Sequence, residues 1–149
     1  MRSIITLLLL LILQSLEAQT IRATDRYGEK LFFVEDHTLL KKDRYGEKLF
    51  LWDGRTIKKK DQYGESLFFL EGNTVRRENR YGEKLYFFDG YTIREKDRYG
   101  QKLYLLHNNI LREKDRYGKP VYFFEGIPDR WVLVAIISLT GINNLTINR

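Results

Sequence analysis

The chain contains no cysteine. That absence excludes a disulfide framework, a thiolate zinc site, an iron–sulfur centre, a thiol nucleophile and a lipid-bearing cysteine anchor. Only two histidines, His37 and His107, are present, too few for a histidine-based metal site. No apolar run approaches the roughly 20 residues of a membrane-spanning helix. The longest, Ile4 to Leu13, has ten residues and is interrupted by Thr6. Gly-rich phosphate loops, HExxH and GxSxG motifs are all missing. What is present is a chain of 149 residues with a formal net charge of +6, ten Tyr and nine Phe. This length favours one compact domain, and the aromatic content is not that of a disordered segment.

The two ends differ from the middle. Met1-Arg2, the apolar run 4–13 and the stretch Gln14-Ser15-Leu16-Glu17-Ala18 follow the three-part plan of a secretory signal peptide. Cleavage is expected after Ala18, with residues 1–18 as the leader and a secreted or periplasmic destination. Residues 128–149 form a second distinct segment, expected to cap the core. Its apolar part, Trp131 to Leu139, is too short to span a bilayer as a helix. β-Branched residues favour a strand there, whereas Pro128 and Asp129 favour a helix start. The pattern leaves both open. Asn144-Leu145-Thr146 has the form of a glycosylation acceptor.

Between the ends lies a repeat. Tyr27-Gly28, Tyr45-Gly46, Tyr63-Gly64, Tyr81-Gly82, Tyr99-Gly100 and Tyr117-Gly118 recur every 18 residues. They define six gapless copies, residues 20–37, 38–55, 56–73, 74–91, 92–109 and 110–127. Asp43-Arg44-Tyr45-Gly46 suits a type I turn continued by a left-handed glycine. Leu49 to Trp52 suits a short strand, Asp53-Gly54 a hairpin turn, and Thr56 to Lys60 a return strand. Each repeat is therefore expected to be one hairpin, and the chain an all-β antiparallel meander of about twelve strands of about five residues. Outgoing strands are apolar on both faces. Each return strand keeps one apolar side chain in place: Ile21, Leu39, Ile57, Val75, Ile93 and Leu111. A flat ribbon would expose apolar surface, so a closed, radial array or a coiled, solenoid-like one is expected.

The unit DRYGEKLFFxDGxTIR resembles the tandem β-hairpin repeats of small exported bacterial proteins, in particular the four-fold β-flower type. The resemblance covers about residues 20–127. It implies short hairpins radiating around a pseudo-symmetry axis and supplies no catalytic residue.

Several side chains are candidates for chemistry. The six turn tyrosines have two readings, a structural one in which the rings cover hairpin ends and a binding one in which they stack on sugars or bases. Lys41, Lys42, Lys58, Lys59, Lys60, Arg76 and Arg77 are expected to align as a basic return-strand stripe, either a solvated face or a binder of anions. Asp25, Asp43, Asp61, Asn79, Asp97 and Asp115 are expected to cap turns rather than bind calcium. Catalysis needs one asymmetric constellation, whereas this chain offers the same residues six times. The expectation is an exported, non-enzymatic β-repeat protein with no cofactor and no metal. It is a structural or interaction module or, alternatively, a binder of acidic glycan, lipopolysaccharide or extracellular DNA.

Overall fold

The computed structural model describes residues 18–140. The leader up to residue 17 and the Asn144-Leu145-Thr146 triplet lie outside the described residues. Twelve antiparallel strands follow in chain order: β1 (Gln19–Ala23), β2 (Lys30–Glu35), β3 (Thr38–Lys41), β4 (Lys48–Trp52), β5 (Thr56–Lys59), β6 (Ser66–Glu71), β7 (Thr74–Arg77), β8 (Lys84–Asp89), β9 (Thr92–Glu95), β10 (Lys102–His107), β11 (Ile110–Glu113) and β12 (Pro120–Phe124). One helix, α1 (Arg130–Leu139), ends the described chain. The expected meander is thus present, with one hairpin per 18 residues.

The strands close into a barrel through β1 and β12. Six hairpins, not four, complete the ring, and the coiled alternative does not occur. The closing register is the same as the internal ones. Ile21 faces Phe124 across the closure, as Leu39 faces Val34 between the first two repeats. Ile21 also faces Phe32 within its own repeat, as Leu39 faces Phe50. Every hairpin is therefore related to its neighbour by the same rotation. The Thr24 N–H donates to the Val121 carbonyl at 3.0 Å, and Arg22 pairs with Glu125 at 2.7 Å, which fastens the seam.

Alternation decides what enters the lumen. The return-strand residues Ile21, Leu39, Ile57, Val75, Ile93 and Leu111 are buried. Their cross-strand partners Phe50, Phe68, Tyr86, Tyr104 and Tyr122 are buried on the same inner face. Leu31, Leu49, Leu67, Leu85, Leu103 and Val121 lie at a register shift in each repeat, as where Lys58 pairs with Ser66 and Leu67 is skipped. This bulge steepens the local twist and helps the short strands curve into a ring.

Residues 131–139 form a helix, which settles the alternative that the sequence left open. They fill the core rather than cap it. Trp131 to Ser138 are all buried, which is the pattern of a helix surrounded on every side. α1 enters beside the third hairpin loop, where Arg130 donates to the Gly72 carbonyl at 3.1 Å and to Asn73 Oδ1 at 2.8 Å. Trp131 stacks on Trp52, with ring planes 1° apart. At the far end Thr140 Oγ1 lies 3.2 Å from the Tyr104 hydroxyl. Asp129 stands at the helix N-cap position without a side-chain capping bond.

The two kinds of hairpin end use different turn chemistry. At one end, Asp36 and His37 both have positive φ, as do Asn108 and Asn109, the pattern of a type I′ turn. Gly72 and Gly90 carry the positive φ of their loops alone, as in type II′. At the DRYG end the left-handed residue is not the glycine. It is Thr24, Lys42, Lys60, Glu78, Lys96 or Lys114, each with φ between 63° and 69°. The glycine serves close approach instead. A Cβ on Gly82 would lie 1.7 Å from the Arg77 carbonyl oxygen, and the other five Tyr-Gly glycines meet the equivalent backbone oxygen as closely.

Two stability experiments follow. Gly82→Ala, which forces backbone apart, costs about 3 kcal/mol or more, whereas Gly72→Ala, with open space around its Cβ, costs less, about 1–2 kcal/mol for its positive φ; urea denaturation measures both. Deleting residues 56–73 leaves five hairpins around a helix that needs six, and thermal melting by circular dichroism should show loss of the cooperative transition. An unchanged melting temperature would mean that the ring recloses with five.

Candidate functional site

Each DRYG turn is built by the same bonds. The acidic side chain at its start, Asp25, Asp43, Asp61, Asp97 or Asp115, accepts the N–H of the tyrosine two residues on, at 2.8 to 2.9 Å. Asn79 does the same for Tyr81. The glycine N–H returns to the carbonyl of that first residue, as from Gly46 to Asp43 at 2.9 Å. The carboxylates thus cap turns, and no cluster with metal-ligating composition occurs among the described residues. Arg22, Arg76, Arg94 and Arg112 brace the turns from the outer wall by donating to Gly28, Gly82, Gly100 and Gly118 carbonyls at 3.1 to 3.2 Å.

This turn chemistry fixes the backbone and turns the tyrosine outward. Tyr27, Tyr45, Tyr63, Tyr81, Tyr99 and Tyr117 are 81% to 89% exposed. The structural reading, in which these rings cover the hairpin ends, is therefore corrected: the N–H of each tyrosine is used by the turn, and its ring is not. The rings stand as a crown around one end of the barrel. Arg116 lies over Tyr117 at 4.9 Å from the ring centre, and Arg26 and Arg98 lie 5.7 Å from the centres of Tyr27 and Tyr99. These are cation–π distances.

The basic residues are arranged differently from a stripe. Successive return-strand residues point to opposite faces, so Lys58 and Arg76 lie on the outer wall. Lys41, Lys59 and Arg77 face inward at the mouth, opposite Phe32, Phe50 and Phe68. Lys42 and Lys60 occupy the left-handed turn position. Strict two-residue alternation was the signal that separates them. What unites them, apart from the outer-wall pair, is the end of the barrel. The six segments 23–30, 41–48, 59–66, 77–84, 95–102 and 113–120 hold seventeen Lys/Arg against twelve Asp/Glu. The rest of the repeat region holds six of each. The whole +5 of the repeats thus belongs to the tyrosine-bearing end, and the outer wall and the loop end together sum to zero.

Lys58 is partly neutralised by Asp53 at 3.8 Å, and Arg77 by Glu83 at 3.4 Å. Burial raises the Asp53 pKa, but N–H donation from Thr56 and Arg55 and the Lys58 charge outweigh it and leave that pKa below the ordinary value. Inside the mouth, Tyr86, Tyr104 and Tyr122 are buried. Burial raises all three phenol pKa values, that of Tyr122 to about 12. The neighbouring Tyr104 adds to the shift of Tyr86 and Tyr122, while Arg77 opposes that of Tyr86 and the Thr140 bond that of Tyr104. His37 belongs to a hairpin loop and His107 ends β10, both at the opposite end of the barrel from the crown.

No family model, curated protein or solved structure matches this chain.

The interior phenols predict an alkaline limit. A phenol whose pKa is raised on folding stabilises the protein fully below its unfolded value, near 10, and that contribution disappears as pH rises through the folded value of about 12. Stability measured by urea midpoint should fall across this window. Tyr122→Phe should flatten the fall, and an equally steep loss in the variant would remove Tyr122 from the cause.

Proposed function

We propose that the protein is an exported, non-enzymatic binding module, a six-hairpin counterpart of the β-flower proteins that its repeats resemble. It engages an anionic partner through the tyrosine-bearing end of the barrel. The observation that carries this reading is the crown itself. Tyrosine occupies the same turn position in all six repeats although its ring packs against almost nothing. Exposed neighbours in the same turns have diverged. The preceding residue is Arg in five copies and Gln62 in one, and the left-handed position holds Thr, Lys or Glu. Folding requires the turn's Asp or Asn and its Gly, but it does not require an exposed phenol ring. A ring held outward six times next to a net +5 suits contact with a partner that carries negative charge and has surface for aromatic rings to cover.

The leader-like residues 1–18 support export. The purely structural alternative, a barrel without a ligand, accounts for the closed ring but gives no role to the crown. The repetition of the same exposed groups supports binding over catalysis, since catalysis requires a nucleophile, a base and a shaped pocket in one asymmetric place.

Retention on heparin at low salt, lost at moderate salt, is the expected behaviour. The left-handed turn position already accepts Glu78, so Lys42→Glu, Lys60→Glu and Lys114→Glu together preserve the turn and move the net charge of this end from +5 to −1. This triple variant should elute without retention. Arg55→Glu, in the loop at the opposite end, should elute close to the unmodified protein. Absence of retention at low salt, or equal loss in both variants, would overturn the assignment to this end.

A further inference from the structure

We propose that the tyrosine crown seats the barrel end-on against the surface of an anionic lipid bilayer. This rests on the reading above and narrows its partner from any polyanion to a flat one.

The shape of the crown carries the inference. The six hairpins are related by one repeated rotation, because the closing register equals the internal registers. The six tips therefore lie at one level around the barrel axis. A linear polymer crosses such a ring along a chord and reaches a few of the tips. A plane reaches all six at once. Every tip carries the tyrosine although its neighbours differ from copy to copy, and a partner that used only two or three tips would place no demand on the others.

The chemistry at the tips agrees with a headgroup layer. A phenol ring has an apolar body and a polar hydroxyl, and tyrosine is enriched at the level where acyl chains meet headgroups. Arginine beside it, as Arg116 over Tyr117 at 4.9 Å, offers paired donors that match phosphate oxygens. Backbone groups entering such a layer must be bonded internally. In these turns the tyrosine N–H is held by the Asp or Asn side chain and the glycine N–H by a carbonyl. The charge distribution supplies orientation. The tyrosine-bearing end of the repeats carries +5 and the rest of the repeats sums to zero, so a negative surface draws the crown inward and leaves the loop end facing away. The outer wall does not suit insertion, because Arg22, Arg76, Arg94 and Arg112 line it, and the strands have four to six residues where a spanning strand needs about 9–11. Contact is therefore with the surface.

Sedimentation with phosphatidylcholine vesicles containing about 30% phosphatidylglycerol tests this. The full chain should co-sediment with them at low salt and remain in the supernatant with pure phosphatidylcholine. Replacing alternate tips, Tyr45→Ser, Tyr81→Ser and Tyr117→Ser together, removes three exposed rings and no charge. This variant should keep its circular dichroism spectrum, and its vesicle partitioning should fall by about tenfold or more, a far larger loss than any shift in its heparin elution. Heparin retention without vesicle binding would overturn the bilayer inference and leave the polyanion reading standing. Equal losses on heparin and vesicles would assign the rings to polymer contacts and overturn it too. Unchanged vesicle binding by the triple variant would show that the crown is not the contact. Binding to neither ligand would overturn both readings.

Discussion

The lumen must be filled, and the rest of the structure depends on how. An eight-strand barrel closes tightly enough for its own side chains to occupy the interior. A twelve-strand ring is wider, and the inward residues of six short hairpins do not meet across it. α1 supplies the missing core. Its ten residues extend about 15 Å, comparable with a five-residue strand, so one short helix serves most of the height of the barrel. This explains why a run of residues 131–139 is apolar on every side without being long enough to span a membrane: it is enclosed by protein. It also links the two halves of the fold. The ring has no stable interior without the helix, and the helix has no burial without the ring.

Closing the ring sets the second requirement, carried by the turns. The left-handed residue at the DRYG end donates its N–H to the neighbouring hairpin, as Lys60 does to the Leu49 carbonyl at 2.9 Å. The glycine lets the turn fold back onto the carbonyl five residues earlier. A left-handed lysine or threonine costs roughly 1–2 kcal/mol relative to glycine. In five of the copies the cost is accepted by a long polar side chain that remains in solvent. The strain is distributed equally around the ring and fixes all tips in one geometry.

Much of this was legible in the sequence. The 18-residue period, the hairpin in each copy and the six buried return-strand residues all follow from spacing and alternation, because those patterns are imposed by local backbone geometry. Three features were not. The segment 131–139 lacks periodicity because all its faces are buried, so helix and strand could not be separated. The Tyr-Gly glycine looks like a left-handed turn residue, but its role is set by a backbone atom that approaches only once the turn is closed. The basic residues looked like a stripe because they are consecutive in sequence; in a strand, consecutive residues diverge, and what they share is height along the barrel axis. The direction of the tyrosine rings was undecidable for a similar reason, since an identical turn sequence serves a ring folded onto the barrel or away from it.

One helix inside a six-fold ring cannot satisfy six equal environments, and the sequence shows where symmetry is given up. The lumen position that holds Val34, Trp52, Leu70, Phe88, Leu106 and Phe124 differs from copy to copy, with Trp52 placed where Trp131 stacks. The mouth divides in the same way: Phe32, Phe50 and Phe68 face Lys41, Lys59 and Arg77, while Tyr86 and Tyr104 face Glu95 and Glu113. Phenol hydroxyls thus appear in the half of the mouth where Thr140 ends the helix beside Tyr104. Divergence inside therefore has a packing cause. The turn positions outside experience no such asymmetry, and their aspartate or asparagine and glycine are kept by the demands of the turn. The exposed tyrosine is subject to neither influence. Its presence in every copy has no packing cause among the described residues, and that is the observation on which the proposed end-on contact rests.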